Sequence, residues 1–350
     1  REQALKAQAS MAQDFSHPPA DSPAQPLRID LAGWSREATQ GPHREFLALF
    51  EQAEALGYDG VWFHEFRLQA QAWPYPCPLL LAAAVLARTE RLRVGSSVLV
   101  APLHRPQLLA EQVQQLQLQS GGRFDAGIGR GTDPATLQQL GIAPEQARES
   151  MQGCVQALQE ALTTEASNAS TLPLYLAASS EDSIAFAVTQ RIPLLLSLEP
   201  PETVQLERLD AACAQQGGNA YALRQRSPIS RYVVIGATAQ DVQAQLQALW
   251  PKLWQRRLYF AAKRGQTPEQ VPALDTAKAL REQFIYGTPE QCVAQLRQLQ
   301  QRTGCAHLRL VFNANGLLDW QAALAAMRLF AQQAMPALRC QPRELASGAL

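Results

Sequence analysis

A glycine-rich run, "GRFDAGIGRG" at 122–131, has residue types that could bind a ligand. Its end places Arg130 between two glycines, directly after a short apolar stretch. Gly129 has no side chain and leaves room for a planar ring against the backbone, and an arginine can bind a phosphate through two parallel hydrogen bonds. The spacing G-x-G-x-G differs from the dinucleotide fingerprint G-x-G-x-x-G and from the phosphate loop G-x-x-x-x-G-K-[ST]. The alternative is an ordinary strand-to-loop turn with a solvated Arg130.

A second candidate is the serine-rich stretch "AASSEDSIA" at 177–185. Ser179, Ser180 and Ser183 lie at the start of a predicted helix, where hydroxyls and unpaired backbone N–H groups together bind an anion. The alternative is helix capping, because Ser179 followed three residues later by Asp182 fits an N-cap pattern. A capping residue can also contact a phosphate, so the two interpretations stay open together.

Histidines follow two predicted strands, in "VWFHEF" and "APLHRP". His64 and Glu65 are adjacent at a strand end, so their side chains point to opposite faces. The pair H-E also begins the zinc motif H-E-x-x-H, but Leu68 stands where the second histidine is needed, and no metal site is predicted. His104 lies in a loop between a strand and a helix. The sequence has no Ser-His-Asp, Cys-His or paired-carboxylate spacing, so nothing in it supports a hydrolase.

These residues must be positioned by β-strands, because short apolar runs alternate with helical patterns along most of the chain. The predicted strands are 27–33, 58–63, 91–100, 123–129, 173–178, 192–198, 231–237 and 307–313. Eight strand-then-helix units in about 310 residues predict a (β/α)8 TIM barrel, an α/β fold whose strands are buried on both faces. A doubly wound open sheet is the second choice. In a barrel the ligand site lies at the carboxyl ends of the strands.

Three regions follow from the pattern. Residues 1–26 are interpreted as a flexible, disordered tail or linker, residues 27–338 as the barrel and residues 339–350 as a C-terminal tail. Segment 251–287 has no clear period, so we expect a helix and a long loop there, a candidate lid over the barrel mouth. Because the chain opens on Arg1 and not on Met, one expectation is that it is a domain of a larger biosynthetic assembly.

Composition excludes several classes of protein. Lys plus Arg and Asp plus Glu both number 31, and no basic stripe appears, so nucleic acid is not an expected partner. The apolar runs are shorter than the ~20 residues that span a bilayer. The 6 cysteines are scattered without ligand spacing, which indicates reduced thiols in a cytoplasmic protein.

Four segments taken together resemble the bacterial luciferase-like flavin-dependent monooxygenases in order and spacing. They are "AEALGYDGVWFHEF", "ARTERLRVGSSVLVAPLHRPQLLAEQVQQLQLQSGGRFDAGIGRG", "LPLYLAASSEDSIAFA" and "GTPEQCVAQLRQL". The resemblance implies a luciferase-like barrel that binds reduced FMN, or the deazaflavin F420 as in some relatives, at its carboxyl-terminal mouth. It also implies reaction with O2 and transfer of one oxygen atom to an organic substrate, free or carrier-bound. A homodimer and a separate flavin reductase are the partners it implies.

The same resemblance assigns cofactor contacts. It places Arg130 and Ser179 at the flavin phosphate, with Ser180 beside them, and Gly129 under the isoalloxazine ring. The tip at Ser97-Val98 matches a position where the family often has a non-prolyl cis peptide.

Two departures bear on the chemistry. Where the family has E-H-H-F, this chain has Glu65, Phe66, Arg67 and Leu68, so a histidine often assigned to proton handling is missing, and His64 is not its equivalent. The segment "TTEASNAST" is also shorter than the usual insertion. The substrate-side catalytic candidates are Glu65, Arg67 and His104, with Arg67 placed to stabilise a developing peroxide anion. The alternative functions are a non-catalytic flavin-binding barrel and an F420-dependent oxidoreductase.

Overall fold

Parallel strands alternate with helices in the computed structural model of the protein, which describes residues 26–34, 42–69, 75–131, 133–163 and 172–340. The strands are β1 (Arg28–Ala32), β2 (Gly60–Phe63), β3 (Arg93–Ser96), β4 (Leu99–Val100), β5 (Phe124–Gly129), β6 (Leu174–Ala177), β7 (Ile229–Ile235), β8 (Phe284–Gly287) and β9 (His307–Val311). The helices are α1 (His43–Ala55), α2 (Pro78–Leu86), α3 (Pro106–Ser120), α4 (Pro134–Gln139), α5 (Ala147–Thr163), α6 (Glu181–Thr189), α7 (Glu202–Gln216), α8 (Ala220–Arg226), α9 (Ala239–Lys263), α10 (Thr276–Gln283), α11 (Pro289–Thr303), α12 (Trp320–Gln333) and α13 (Met335–Arg339). Nearly all strand residues are buried, as expected for parallel strands covered on both faces.

The strands close into a ring. Parallel pairing runs in the order β6, β5, β3, β2, β1, β9, β7. Segment 192–198 lies between β6 and β7 and joins the two ends. Leu194 forms a parallel bridge with Leu176, and the Leu196 N–H donates to the Pro228 carbonyl at 3.2 Å. The predicted (β/α)8 barrel is therefore confirmed.

Segment 192–198 differs from its prediction as a regular strand. Its apolar residues from 192 to 196 are buried as expected and Leu198 is half-buried, but within the segment only the bridge at Leu194 has strand pairing. Pro193 has no N–H to donate to a neighbouring strand, which limits the ladder that this segment can form. The third predicted strand is also divided, into β3 and β4, at a cis Ser97–Val98 peptide.

Segment 251–287 is more regular than predicted. Helix α9 continues through Pro251 to Lys263, and the segment then contains α10 and the short strand β8, which pairs with the carboxyl half of β7. The segment does cross the carboxyl ends of the strands, because Arg256 Nη1 donates to the Ala314 and Asn315 carbonyls at 3.0 and 2.9 Å. A lid movement of this segment stays a prediction.

Helix α11, which follows β8, has a defined signal at each end. Thr288 and Gln291 form a capping box, with Pro289 in the first turn. The helix ends at Gly304, whose left-handed conformation is the common helix stop. Its inward face is apolar and packs into the main core.

Three linked ion pairs lie inside the barrel, near the amino-terminal ends of the strands. Asp30 on β1 and Asp125 on β5 are fully buried, and both accept hydrogen bonds from Arg28. Arg93 on β3 also donates to Asp125, at 2.6 Å. Burial alone would raise the pKa of Asp30, but Arg28 and His307 hold it well below its usual value.

Several earlier expectations lie outside the described residues. Residues 1–25 and 341–350 include most of the predicted tails, and residues 164–171 include most of the short segment before β6. Among the described helices, none is both long and apolar enough to cross a membrane.

Candidate functional site

Arg130 and Ser179 lie at the carboxyl ends of two adjacent strands. Gly129 on β5 is in register with Ala177 on β6, so Arg130 follows one strand beside the residues that lead to Ser179 on the other. The Arg130 side chain is half-buried and forms no hydrogen bond or ion pair with a described residue. A half-buried arginine without an anion is a suitable group for an anionic ligand.

The helix that begins after Ser179 is capped by Ser180. The Ser180 Oγ accepts from the Ser183 N–H at 3.4 Å and lies 2.8 Å from the Ser183 Oγ. The predicted cap pair of Ser179 and Asp182 is therefore wrong by one residue, and Asp182 instead pairs with Arg148 at 2.8 Å. The exposed Ser179 hydroxyl has no hydrogen bond to a described residue, which leaves it available to a ligand.

The Ser97–Val98 tip packs directly against Gly129. A Cβ atom at Gly129 would lie 2.7 Å from Val98 Cγ2, closer than side-chain carbons approach one another. The missing side chain therefore makes room for Val98, and these residues form one continuous surface at the barrel mouth. The cis peptide at this tip confirms the prediction made for it. Contact of this surface with a flat ring stays a prediction.

Arg309 on β9 is a site residue that the sequence reasoning missed. It is 5% exposed and reaches across the lumen, where Nη1 donates to Ser97 Oγ and Nη2 donates to the Leu196 carbonyl at 3.0 Å. Its guanidinium carbon lies 5.5 Å from the Trp62 ring centroid. Burial lowers the pKa of Arg309 to about 10, so it remains protonated at neutral pH. The available signal was an arginine in the middle of the strand sequence "HLRLV", where a buried strand would have an apolar residue.

The three predicted substrate-side residues come together as one cluster around a buried carboxylate. Glu65 accepts from Arg67 Nη2 at 2.7 Å, from His104 Nε2 at 2.8 Å and from the Val100 N–H at 2.8 Å. Burial alone would raise the pKa of Glu65, but the hydrogen bonds from His104 and Val100 and the charge of Arg67 lower it. Glu65 is therefore ionised at neutral pH, and its charge balances that of Arg67.

This cluster borders a groove on the outer side of the barrel. The groove has a volume of about 540 Å3 and lies between α2 and α3. Its polar lining includes Arg67, Cys77, His104, Gln112, Gln115 and Gln119. Large leucines are exposed on the same two helices, with Leu80 at 74% and Leu118 at 84%. Leu80 also lines the groove, so the groove has an apolar as well as a polar part.

Comparison with known proteins places this arrangement in a family. The sequence model of the luciferase-like monooxygenases matches residues 28–306. The 4-hydroxyprotoasukamycin monooxygenase of Streptomyces nodosus subsp. asukaensis is 26% identical over 321 residues, which cover 83% of this chain and 85% of that protein.

Solved structures give the same fold. The oxygenating constituent of 3,6-diketocamphane monooxygenase from Pseudomonas putida, in complex with FMN, superposes with a TM-score of 0.66 at 16% identity and covers 89% of this chain and 98% of its own. An F420-dependent secondary alcohol dehydrogenase superposes with a TM-score of 0.65 at 13% identity and covers 90% of this chain and 100% of its own. Likenesses at this level of identity establish the barrel architecture.

Proposed function

The chain belongs to the luciferase-like monooxygenase family, and from this premise we propose that it is a reduced-FMN-dependent monooxygenase acting on an organic substrate. In the overall reaction, one atom of O2 is inserted into the substrate and the other leaves as water, while the reduced flavin is oxidised to FMN. When bound, the flavin supplies the electrons for this reaction.

The observation that supports the proposal most directly is the pair of unsatisfied groups at the ends of β5 and β6. The Arg130 guanidinium and the Ser179 hydroxyl are both without a described partner, and strand register brings their segments side by side. An arginine with a neighbouring hydroxyl and a helix N-terminus fits a phosphate monoester such as that of FMN. We assign Arg130 and Ser179 to the phosphate, with Ser180 holding the helix start in place.

The remaining site residues have separate tasks. The surface formed by Ser97, Val98 and Gly129 lies against the ring, and its close packing excludes water from that side. His104 donates through Nε2 to ionised Glu65, which leaves Nδ1 as the nitrogen that accepts a proton. Arg67 pairs with Glu65 and so orients that carboxylate, and its stabilisation of a developing peroxide anion stays a prediction.

Binding of FMN tests the proposal first. Replacing Arg130 with alanine removes a charge-assisted contact worth about 1.5–3 kcal/mol, so FMN affinity should fall about 10- to 150-fold. Arg226→Ala is the matched control, since Arg226 is an exposed arginine on α8 with no described partner. Titration of flavin fluorescence measures both. Equal affinity in the two variants would contradict the phosphate assignment.

Reaction with O2 tests the activity. Reduced FMN bound to the protein is mixed with O2, and its reoxidation is compared with that of free reduced FMN. We expect the bound flavin to reoxidise more slowly, because the site excludes water and withholds turnover until a substrate binds. Reoxidation as fast as in solution, with FMN affinity intact, would favour the non-catalytic flavin-binding barrel. Tight binding of reduced F420 together with weak binding of reduced FMN would favour the F420-dependent alternative.

A homodimer and a separate flavin reductase complete the proposal. The exposed leucines on α2 and α3 give a second copy an apolar face to cover. Sedimentation of the Leu118→Glu variant tests this interface, and we expect the protein to become monomeric. The separate reductase would supply FMN in its reduced form. An uncharged organic substrate fits the zero net charge of the chain.

A further inference from the structure

Arg309 is a buried cation with unused hydrogen-bonding capacity. It is 5% exposed, and its Nε is buried without a hydrogen bond to any described residue. The acceptors that its two Nη groups contact, the Ser97 hydroxyl and the Leu196 carbonyl, are both uncharged. Burial of an arginine without a carboxylate partner costs stability, which calls for a functional explanation.

The other charges in the lumen balance without Arg309. Arg28 and Arg93 bond to Asp125 at 2.5 and 2.6 Å, and Arg28 also bonds to Asp30 at 2.7 Å. These two carboxylates and two guanidinium groups cancel, so Arg309 adds a positive charge that no carboxylate among the described residues pairs with. Asp30 attracts Arg309 without contacting it, and its own oxygens are already occupied.

The hydrogen bond between Arg309 and Ser97 fixes the direction of the Ser97 hydroxyl. A guanidinium group can only donate, so Ser97 Oγ must be the acceptor and its own O–H remains to be donated. No acceptor for this O–H is found among the residues that the structure describes. Neighbouring Ser96 is different, because its hydroxyl donates to the Gly127 carbonyl and accepts from the Gly127 N–H, both at 3.0 Å.

The free donor lies on the surface already assigned to the cofactor ring. Ser97 is half-buried and directly precedes Val98, which packs on Gly129 at the barrel mouth. A hydroxyl that accepts from a buried cation is polarised and binds a negatively charged acceptor more strongly than a neutral one. The low dielectric of the lumen strengthens the same preference.

We propose that Ser97 and Arg309 form a charged donor pair that selects an anionic ligand ring at the barrel mouth, Ser97 by direct contact and Arg309 as the positioning residue behind it. The inference rests on the proposed function, in which the ligand is a flavin. The reduced isoalloxazine ring becomes an anion when it loses its N1 proton, whereas the oxidised ring is neutral. The pair therefore favours reduced over oxidised FMN, which suits an enzyme that receives its flavin already reduced.

The test compares affinities for reduced and oxidised FMN under anaerobic conditions. In Arg309→Met we expect the affinity for reduced FMN to fall about tenfold more than that for oxidised FMN. Ser97→Ala should shift the ratio in the same direction, and the double variant should resemble the more affected single variant, because both act through one hydrogen bond. Arg231→Met is the matched control. Arg231 is also a buried arginine on a barrel strand, but it pairs with Glu202 on α7 at 2.7 Å.

Each outcome separates the inference from the proposed function. Arg309→Met could lower the affinities for reduced and oxidised FMN by the same factor, as Arg231→Met would if it only disturbed the fold. This result would assign Arg309 a structural role and overturn the inference. If Arg309→Met does not fold, Ser97→Ala decides alone, and an unchanged affinity ratio in that variant overturns the inference. Failure of the unmodified protein to bind FMN in either state would instead refute the proposed function.

Discussion

Replacing Glu65 with glutamine would break the charged cluster beside the groove with little change in volume. The variant loses the ion pair to Arg67 and the charge that strengthens the bonds from His104 and Val100. Removing one partner of a fully buried ion pair costs about 3–5 kcal/mol. The Glu65 side chain is fully buried, but the Arg67 side chain is 32% exposed. Water can therefore solvate the Arg67 charge that the variant leaves unpaired. We expect a destabilisation of about 2 kcal/mol at neutral pH.

The destabilisation caused by Glu65→Gln must depend on pH in a defined direction. Because the folded protein lowers the pKa of Glu65 from its ordinary value of 4.5, its ionised form stabilises the native state above that value. That contribution is lost as the pH falls through the lowered pKa in the folded protein. The difference between Glu65→Gln and the unmodified protein should therefore narrow steadily below about pH 4.5 and stay constant above about pH 6.

Urea unfolding followed by circular dichroism at several pH values measures this difference. Glu51→Gln is the control, because Glu51 forms a comparable ion pair with Arg88 at 2.9 Å in which both side chains are more than a third exposed. An exposed pair of this kind contributes about 0–1 kcal/mol. A Glu65→Gln cost equal to that of Glu51→Gln, or one that does not change between neutral and acidic pH, would refute the reasoning.

Three further predictions follow from packing, capping and thiol burial. Gly129→Ala places a Cβ atom 2.7 Å from Val98 and should lower the free energy of unfolding, measured in urea, by about 1–3 kcal/mol. Gly153→Ala is the control, because Gly153 lies inside α5 with its nearest neighbour at 3.6 Å, and this variant should be stabilised by up to about 1 kcal/mol. The opposite order of stabilities would be incompatible with the packing at the barrel mouth. Ser180→Ala should lower the free energy of unfolding by about 1 kcal/mol, because it removes the helix cap. Ser179→Ala should weaken FMN binding and leave the unfolding midpoint unchanged. A loss of stability in Ser179→Ala would show that Ser179 caps the helix. With a thiol-specific reagent at mildly alkaline pH, exposed Cys340 should react at once. Burial raises the pKa values of four buried thiols to about 11 or 12, so these should react only when the protein unfolds. Rapid labelling of any of the four would contradict their burial. The four are Cys154, Cys213, Cys292 and Cys305.

The barrel was predictable because strands covered on both faces have continuous apolar sequences. Seven of the eight predicted strands pair in the ring, and the segment at 192–198 occupies its place without regular pairing. Hydrophobicity predicts burial, but the number of ladder hydrogen bonds also depends on prolines and turns that the apolar pattern does not report. Strand β8 was missed because its four residues directly follow a helix without a turn signal between them.

The site was predictable where a residue directly follows a strand and not where it lies inside one. Arg130 and Ser179 stand at strand ends, so the architecture alone brings them to the mouth. Arg309 reaches the same place from the middle of β9 by the length of its side chain and its direction across the lumen. Side-chain direction inside a barrel depends on register with two neighbouring strands, which the sequence of one strand does not determine. The cap at Ser180 illustrates the usual uncertainty of one residue at a helix start.

The irregular closure between β6 and β7 makes the barrel wall mechanically uneven. Most of the ring is joined by continuous ladders, but the 192–198 segment is joined by one bridge and a few separate hydrogen bonds. Amide protons of this segment should exchange with solvent earlier than those of β1 or β9, because local opening there breaks few bonds. Arg309 on β9 donates both to the Leu196 carbonyl in this segment and to Ser97 at the tip of β3, so it links the irregular segment to a third part of the ring. A ligand that restricts the movement of Arg309 would also restrict local opening of this segment, so binding at the barrel mouth should slow amide exchange in residues 192–198.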